Sequence, residues 1–292
     1  MNTEAIINLS KRCTLNYFRD KQNIFFSLMS ALIVVMLYLL FLRDMFIQSY
    51  PDLDGVNNLV DVWVLSGILG IIPVTTCAGA LQTMVEDRTE GKIRDILVTP
   101  MRPSEIALGY ILSTFIVGFV MSIITFAVCL AYLAATGCPL DGMGVVCTFV
   151  MLIPSAISAT VIMYVCTTFM KSNGAFSGFF TTVSVLIGFL AGIYMPMGSM
   201  PAAMQTIGTL MPASQMTAAF RDLLASDALD KAFGGMSATE LADFRTDMGF
   251  DLQLGGVELS MAIMLGYVAI VTIVFFALAA YRSGRRRDRN LL

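Results

Sequence analysis

The sequence predicts an all-α integral membrane protein: six transmembrane helices, an N-terminal interfacial helix, a charged cytoplasmic helix and a re-entrant helical segment before the last span. Three observations predict it. Of 292 residues, 57% are hydrophobic and only 13% charged, against roughly 25% charged in a soluble domain. Six apolar runs, free of Asp, Glu, Lys and Arg, come close to or exceed the roughly 20 residues that cross a hydrocarbon core of about 30 Å. Fourteen of the eighteen Lys and Arg residues then fall on one side of the membrane those runs define, the asymmetry expected of cytoplasmic loops.

Taken in order, residues 1–22 carry Ile6, Leu9, Cys13 and Tyr17 at helical spacing, with Lys11, Arg12 and Arg19 off that stripe. This pattern predicts an interfacial helix. The spans are 24–42, 62–84, 106–135, 145–168, 176–194 and 259–281. More than twenty residues precede the first, and no small-residue cleavage site follows it, so it is expected to stay in the mature chain. Pro73 and Pro154 are expected to kink the second and fourth spans.

Lys11, Arg12, Arg19 and Lys21, then Arg88, Lys92, Arg94 and Arg102, then Lys171, and finally Arg282, Arg285, Arg286, Arg287 and Arg289 place both termini in the cytoplasm. The opposite side is acidic, with Asp44, Asp52, Asp54 and Asp61 in one loop and 222–258 as a second. Residues 172–220 hold no charge and are too long for one span. Pro196, Pro201 and Pro212, with Gly192, Gly198 and Gly208, interrupt the pattern, so 196–220 is expected to dip back into the outer leaflet without crossing and to gate the outer mouth. Within 222–258, Ser237 and Glu240 have capping-box spacing, with Gly249 as the helix stop.

Several chemistries are excluded. There is no histidine, and the six cysteines are scattered without ligand or disulfide spacing, so a metal centre and a disulfide framework lack support. No catalytic constellation is present, and nothing points to nucleic acid. Spans without ionisable residues disfavour a proton relay or fixed counter-ion.

The densest charge near the middle of the chain is EDRTEGKIRDILVTP, Glu86–Pro100. On a helical wheel Val85, Thr89, Ile93, Ile96 and Leu97 share one face, and Asp87, Arg88, Glu90, Lys92, Arg94 and Asp95 the other. From Glu86 to Glu105 five acids face four bases. A lipid-binding helix would be basic on its polar face, so a protein partner explains this balance better. The bland alternative is that Glu90 and Arg94, at i and i+4, form a pair that merely supports the helix.

This run, followed by Arg102-Pro-Ser-Glu-Ile-Ala-Leu-Gly-Tyr-Ile-Leu112, resembles the motif of ABC-2 type permeases, the membrane subunits of ATP-binding-cassette exporters. Gly192-Ile-Tyr-Met-Pro196, Met200-Pro201 and Leu210-Met-Pro-Ala-Ser214 ahead of Arg221 resemble the family's fifth span, re-entrant helices and lead-in to its outer loop. The resemblance implies that 86–100 is a coupling helix, with Glu86, Asp87, Arg88, Glu90, Gly91 and Arg94 meeting an ATPase. No G-x-x-x-x-G-K-[ST] phosphate loop is present, so ATP and Mg are expected on a separate ATPase subunit dimer. A second permease copy, identical or related, would complete a path through the cytoplasmic membrane. Its candidate lining is Thr75, Thr76 and Gln82 on the second span and Phe176, Phe179, Phe180, Thr181, Thr182 and Ser184 on the fifth, suiting an amphipathic, drug-like or lipid-like cargo. The chain itself is not expected to be an enzyme. The competing reading is an ion-coupled transporter or channel without an ATPase.

Overall fold

The computed structural model describes residues 2–38, 40, 43–49, 55–234 and 237–289. Asp52 and Asp54 of the expected acidic loop, and residues 39, 41 and 42 at the end of the first expected span, lie outside them. Helices are α1 (Thr3–Arg19), α2 (Lys21–Leu37), α3 (Arg43–Ser49), α4 (Val56–Ala80), α5 (Gln82–Thr89), α6 (Lys92–Leu97) and α7 (Pro103–Ala135). They continue as α8 (Gly142–Thr167), α9 (Asn173–Leu190), α10 (Ala202–Thr209), α11 (Pro212–Phe233), α12 (Ala238–Asp247) and α13 (Met261–Arg289). A two-stranded hairpin, β1 (Gln253–Leu254) and β2 (Val257–Glu258), is antiparallel.

The protein is an all-α membrane protein. Five helices among the described residues are long and apolar enough to cross a bilayer: Val56–Thr89, Pro103–Ala135, Gly142–Thr167, Asn173–Leu190 and Met261–Arg282. The first expected span begins in α2, which is described as 17 helical residues.

Local chemistry sets the boundaries. Asp20 accepts the Gln22 and Asn23 amides at 3.0 Å each, capping α2 and ending α1; such an N-cap contributes about 1 kcal/mol. Asp141 and Ser172 cap α8 and α9 in the same way. Pro103 and Pro212 open α7 and α11, where a missing N–H costs nothing. Ser237 and Glu240 form the reciprocal capping box that their spacing predicts, and Gly249 leaves α12 at φ +71°.

The centre of the bundle is α4. Its sequence is apolar all round, the mark of a buried helix, and α1, α2, α7, α8, α9 and α11 pack around it. On the periphery, α13 leaves Ile263, Ile270, Ile273 and Val274 exposed. The stripe Ile6, Leu9, Cys13 and Tyr17 is the buried face of α1, and it packs mainly on α7.

Three segments depart from the sequence expectation. The fifth-span helix ends at Leu190, because Gly192 turns the chain at φ +65°. Asp61, expected in a loop, is buried within α4. The segment 196–220 is not a set of short helices followed by a loop: after a 3₁₀ turn at Met197–Ser199 and the brief α10, the 22-residue α11 runs straight through residues 220–222. Ala, Leu, Met and Phe carry the helix across the charged pair Arg221–Asp222, since the arginine is accommodated inside the protein. α11 runs antiparallel to α4, so closely that a Cβ on Gly70 would collide with Thr217. The α10–α11 turn at Met211 lies beside Val74, 18 residues past the start of α4 and so about 27 Å along it.

Candidate functional site

The charged segment is two helices, not one. α5 continues the α4 direction to Thr89, Gly91 turns the backbone at φ +80°, and α6 sets off separately. Gly91 is required here because the left-handed region penalises a Cβ. The break leaves Glu90 at the C-cap of α5 and Arg94 within α6, and Glu90 pairs instead with Lys92 at 2.6 Å.

It also divides the expected polar face. Asp87 is buried. Arg12 of α1 grips its carboxylate with two parallel bonds, 2.9 and 2.7 Å, and the Tyr110 hydroxyl of α7 donates a third at 2.7 Å. The Asp87 side chain is 2% exposed and that of Arg12 39%. Bidentate guanidinium–carboxylate geometry is the strong form of the ion pair, and its hydrogen bond holds the Arg12 pKa above the usual arginine value. Asp87 thus ties α5 to α1 and α7, and it cannot belong to an exposed docking face. Burial pushes the neighbouring Cys13 thiol up to about 12, which leaves it protonated and inert.

The remaining charged residues take two positions. Glu86 is half-buried and accepts from Gln82 Nε2 at 2.7 Å, while half-buried Arg88 rests its guanidinium on the Met84 sulfur. Glu90, Lys92, Arg94 and Asp95 are exposed. Beside them Leu97 and Val98 are also exposed, Val98 to 86%. The turn therefore presents an apolar tip rimmed by both signs of charge, the anatomy of a protein-contact surface. Between α1 and α6 lies an open cleft of about 580 Å³, bounded by Leu9, Arg12, Lys92, Asp95, Ile96 and Met101.

The predicted path residues are not brought together. Thr75 and Thr76 are fully buried in α4, and their hydroxyls bond back to the carbonyls of Ile71 and Ile72. Both are enclosed by neighbouring helices, so neither reaches a surface of this chain. On α9, Phe176, Phe179, Phe180 and Ser184 lie toward the protein, with Phe176 and Phe180 stacked at 6.3 Å. Its open face is instead Ser177, Gly178, Thr181, Thr182 and Val185. Gln82 lines a separate polar cleft of about 300 Å³ with Asn16, Arg19, Asn23 and Glu86. Pro196 precedes the 3₁₀ turn, exposed Pro201 is the N-cap of α10, and Pro212 starts α11.

At the opposite end of α4 the sequence reading missed the main cluster. Arg221 is 1% exposed. Its Nη1 donates to the Met248 and Gly249 carbonyls at 3.1 Å each, and its Nη2 to the Gly192 carbonyl at 2.7 Å. The guanidinium lies 4.7 Å over Trp63, whose own Nε1 donates to Met248 O at 2.7 Å. The carbonyls just past α9 and α12, where a helix dipole is negative, take the place of a carboxylate. Arg245 then ties α12 to α11, bonding Asp251 at 2.6 and 2.7 Å and Asp222 at 2.8 Å, and these partners raise its pKa, Asp251 foremost. Asp61 accepts from the Tyr38 hydroxyl and lies 3.5 Å from Arg43. The long helix α4–α5 thus carries a buried carboxylate just beyond each end of the charge-free span 62–84, and each is engaged by an arginine and a tyrosine.

Among known proteins, the family model described as ABC-2 family transporter protein matches residues 45–281. No curated protein matches the chain.

Proposed function

The chain belongs to the ABC-2 transporter family, and we propose that it is the permease subunit of an exporter driven by a separate ATPase dimer, which binds the ATP and Mg. The carrying observation is the turn at Glu90–Val98, which combines an apolar tip with exposed charges of both signs, while the Asp87–Arg12–Tyr110 cluster behind it makes the turn continuous with α1, α5 and α7. Force applied at the tip reaches three helices through rigid contacts. Two copies, identical or related, would bring the open α9 faces to a shared path, with Thr181, Thr182 and Ser177 offering hydroxyls among Val185, Leu186 and Phe189. Such a lining suits an amphipathic or lipid-like cargo.

The test is charge reversal at the exposed turn. Glu90→Lys with Arg94→Glu removes only solvent-facing interactions, so expression and melting temperature should be unchanged. Association with the ATPase should weaken about tenfold or more, the size typical of a reversed interfacial charge, and export should fall with it. A double variant that retains its ATPase and exports at the native rate overturns the docking assignment.

Orientation has its own experiment. With the turn and both termini cytoplasmic, α12 faces outward, and Ala238→Cys, at its exposed first residue, should react with a membrane-impermeant maleimide in intact cells. Native thiols contribute little background, since four of the six are buried and the others half-buried. Labelling that requires permeabilisation reverses the topology.

A further inference from the structure

At the foot of the α10–α11 hairpin, α8 and α9 are not packed against each other, although they are consecutive and joined by a short turn. Between them lies a cavity of about 60 Å³. Its floor is Gly70 and Val74 of α4, its walls are Ser155, Ser158 and Ala159 of α8 and Ile187 of α9, and its roof is the turn at Met211–Pro212. The space exists because the α8 face is built of small side chains, Ser155, Ser158 and Ala159. The Ser158 hydroxyl bonds back to the Ser155 carbonyl at 2.9 Å, which leaves the walls almost entirely apolar. The rim, formed by Ile162, Met211 and Pro212, is partly exposed, and the neighbouring α8 positions Ile153 and Ile157 are 40% and 39% exposed, facing lipid.

Size, polarity and depth together select an occupant. The volume is several times the roughly 10–15 Å³ that admits one water, yet an apolar cavity of this kind stays dry. It is less than half the roughly 150 Å³ that holds a benzene ring, so a ring system does not fit. Gly70 lies 14 residues from the start of α4 and 19 from the end of α5, so the niche sits about 20–30 Å from either end of that long helix, at the level where bilayer chains terminate. No charged group lines it. We propose that the niche holds the end of a phospholipid acyl chain, inserted from the bilayer between α8 and α9 and packed under the hairpin turn. Van der Waals contact rather than water exclusion holds the chain there, as it holds helices together in lipid.

The experiment needs no ATPase and so stands apart from the transport reading. The full chain is reconstituted in phosphatidylethanolamine–phosphatidylglycerol vesicles containing a phospholipid with a diazirine at the acyl terminus, irradiated, and mapped by mass spectrometry. Labelling at Ser158, Ala159 and Met211 should exceed that at Ile153 and Ile157 severalfold. Ser158→Leu fills the niche from within and should reduce the labelling of Ala159 and Met211 to that of the lipid-facing positions, with labelling at Ile153 unchanged. Ala159→Val, a smaller change, should reduce it part of the way and covers a failure of the leucine variant to fold. Equal labelling of niche and lipid-facing positions in the native chain, or enrichment that survives filling, overturns the proposal.

Discussion

Replacing Arg221 by methionine should loosen the cap formed by α12 and the β1–β2 hairpin more than any other single change at that end of the bundle. The substitution keeps length and helix propensity but leaves the carbonyls of Gly192 and Gly249 without a donor, and neither has another among the described residues. Met248 O keeps the Trp63 indole. A buried unsatisfied acceptor costs about 1–3 kcal/mol, and relief of the guanidinium's own desolvation offsets part of the sum, so the net loss should be about 2–4 kcal/mol. The damage should be local. Limited proteolysis in detergent should cut residues 237–258 early, while α7 and α8 stay protected. Arg221→Lys should fall between, because an ammonium can reach one or two of the carbonyls but cannot stack flat on Trp63. A methionine variant with native melting temperature and native protease resistance would show that the carbonyl cage is not what holds the cap.

Arg221 also marks where sequence reading reached its limit. Apolar runs located the five long helices because a membrane demands about 20 consecutive apolar residues, and that demand is visible residue by residue. The match over residues 45–281 agrees with the motifs quoted from Glu86 onward. Side-chain partners had no such signal. A helical wheel placed Asp87 on the polar face of one continuous helix, which takes the helix as straight and its surroundings as water. Gly91 breaks the helix, and α1, brought back by the fold from 75 positions earlier, supplies the arginine that makes burial possible. Thr75 and Thr76 read as polar points in a path, but hydroxyls in an apolar helix commonly bond to their own backbone, and the bonds to Ile71 and Ile72 show that they do here. Arg221 read only as the residue ahead of the polar loop 222–258, because its partners are carbonyls, which every residue possesses and no sequence pattern reveals.

At the other end of α4, Arg12→Ala should be more damaging than Asp87→Asn, although each breaks the same ion pair. The asymmetry follows from exposure, 39% for the Arg12 side chain against 2% for Asp87. Without Asp87's charge, the guanidinium turns into solvent, and the asparagine oxygen still accepts from Tyr110. The cost should be about 1–2 kcal/mol, the loss of a charged hydrogen bond at a partly screened site. Without Arg12, a carboxylate is left in the interior with one tyrosine hydroxyl, and removing one partner of a buried pair costs about 3–5 kcal/mol. The double variant Arg12→Ala/Asp87→Asn should therefore be more stable than Arg12→Ala alone, since the second change removes the stranded charge. Thermal unfolding of the three purified proteins measures this order directly. Function should follow a different order if the cluster links the exposed turn to α1 and α7. Both single variants and the double variant should still bind the ATPase through Glu90–Val98, but with ATP turnover detached from export. If stability falls in the reverse order, Asp87 reaches water in the native protein; if export stays proportional to ATP hydrolysis in all three, the cluster holds the fold and transmits nothing.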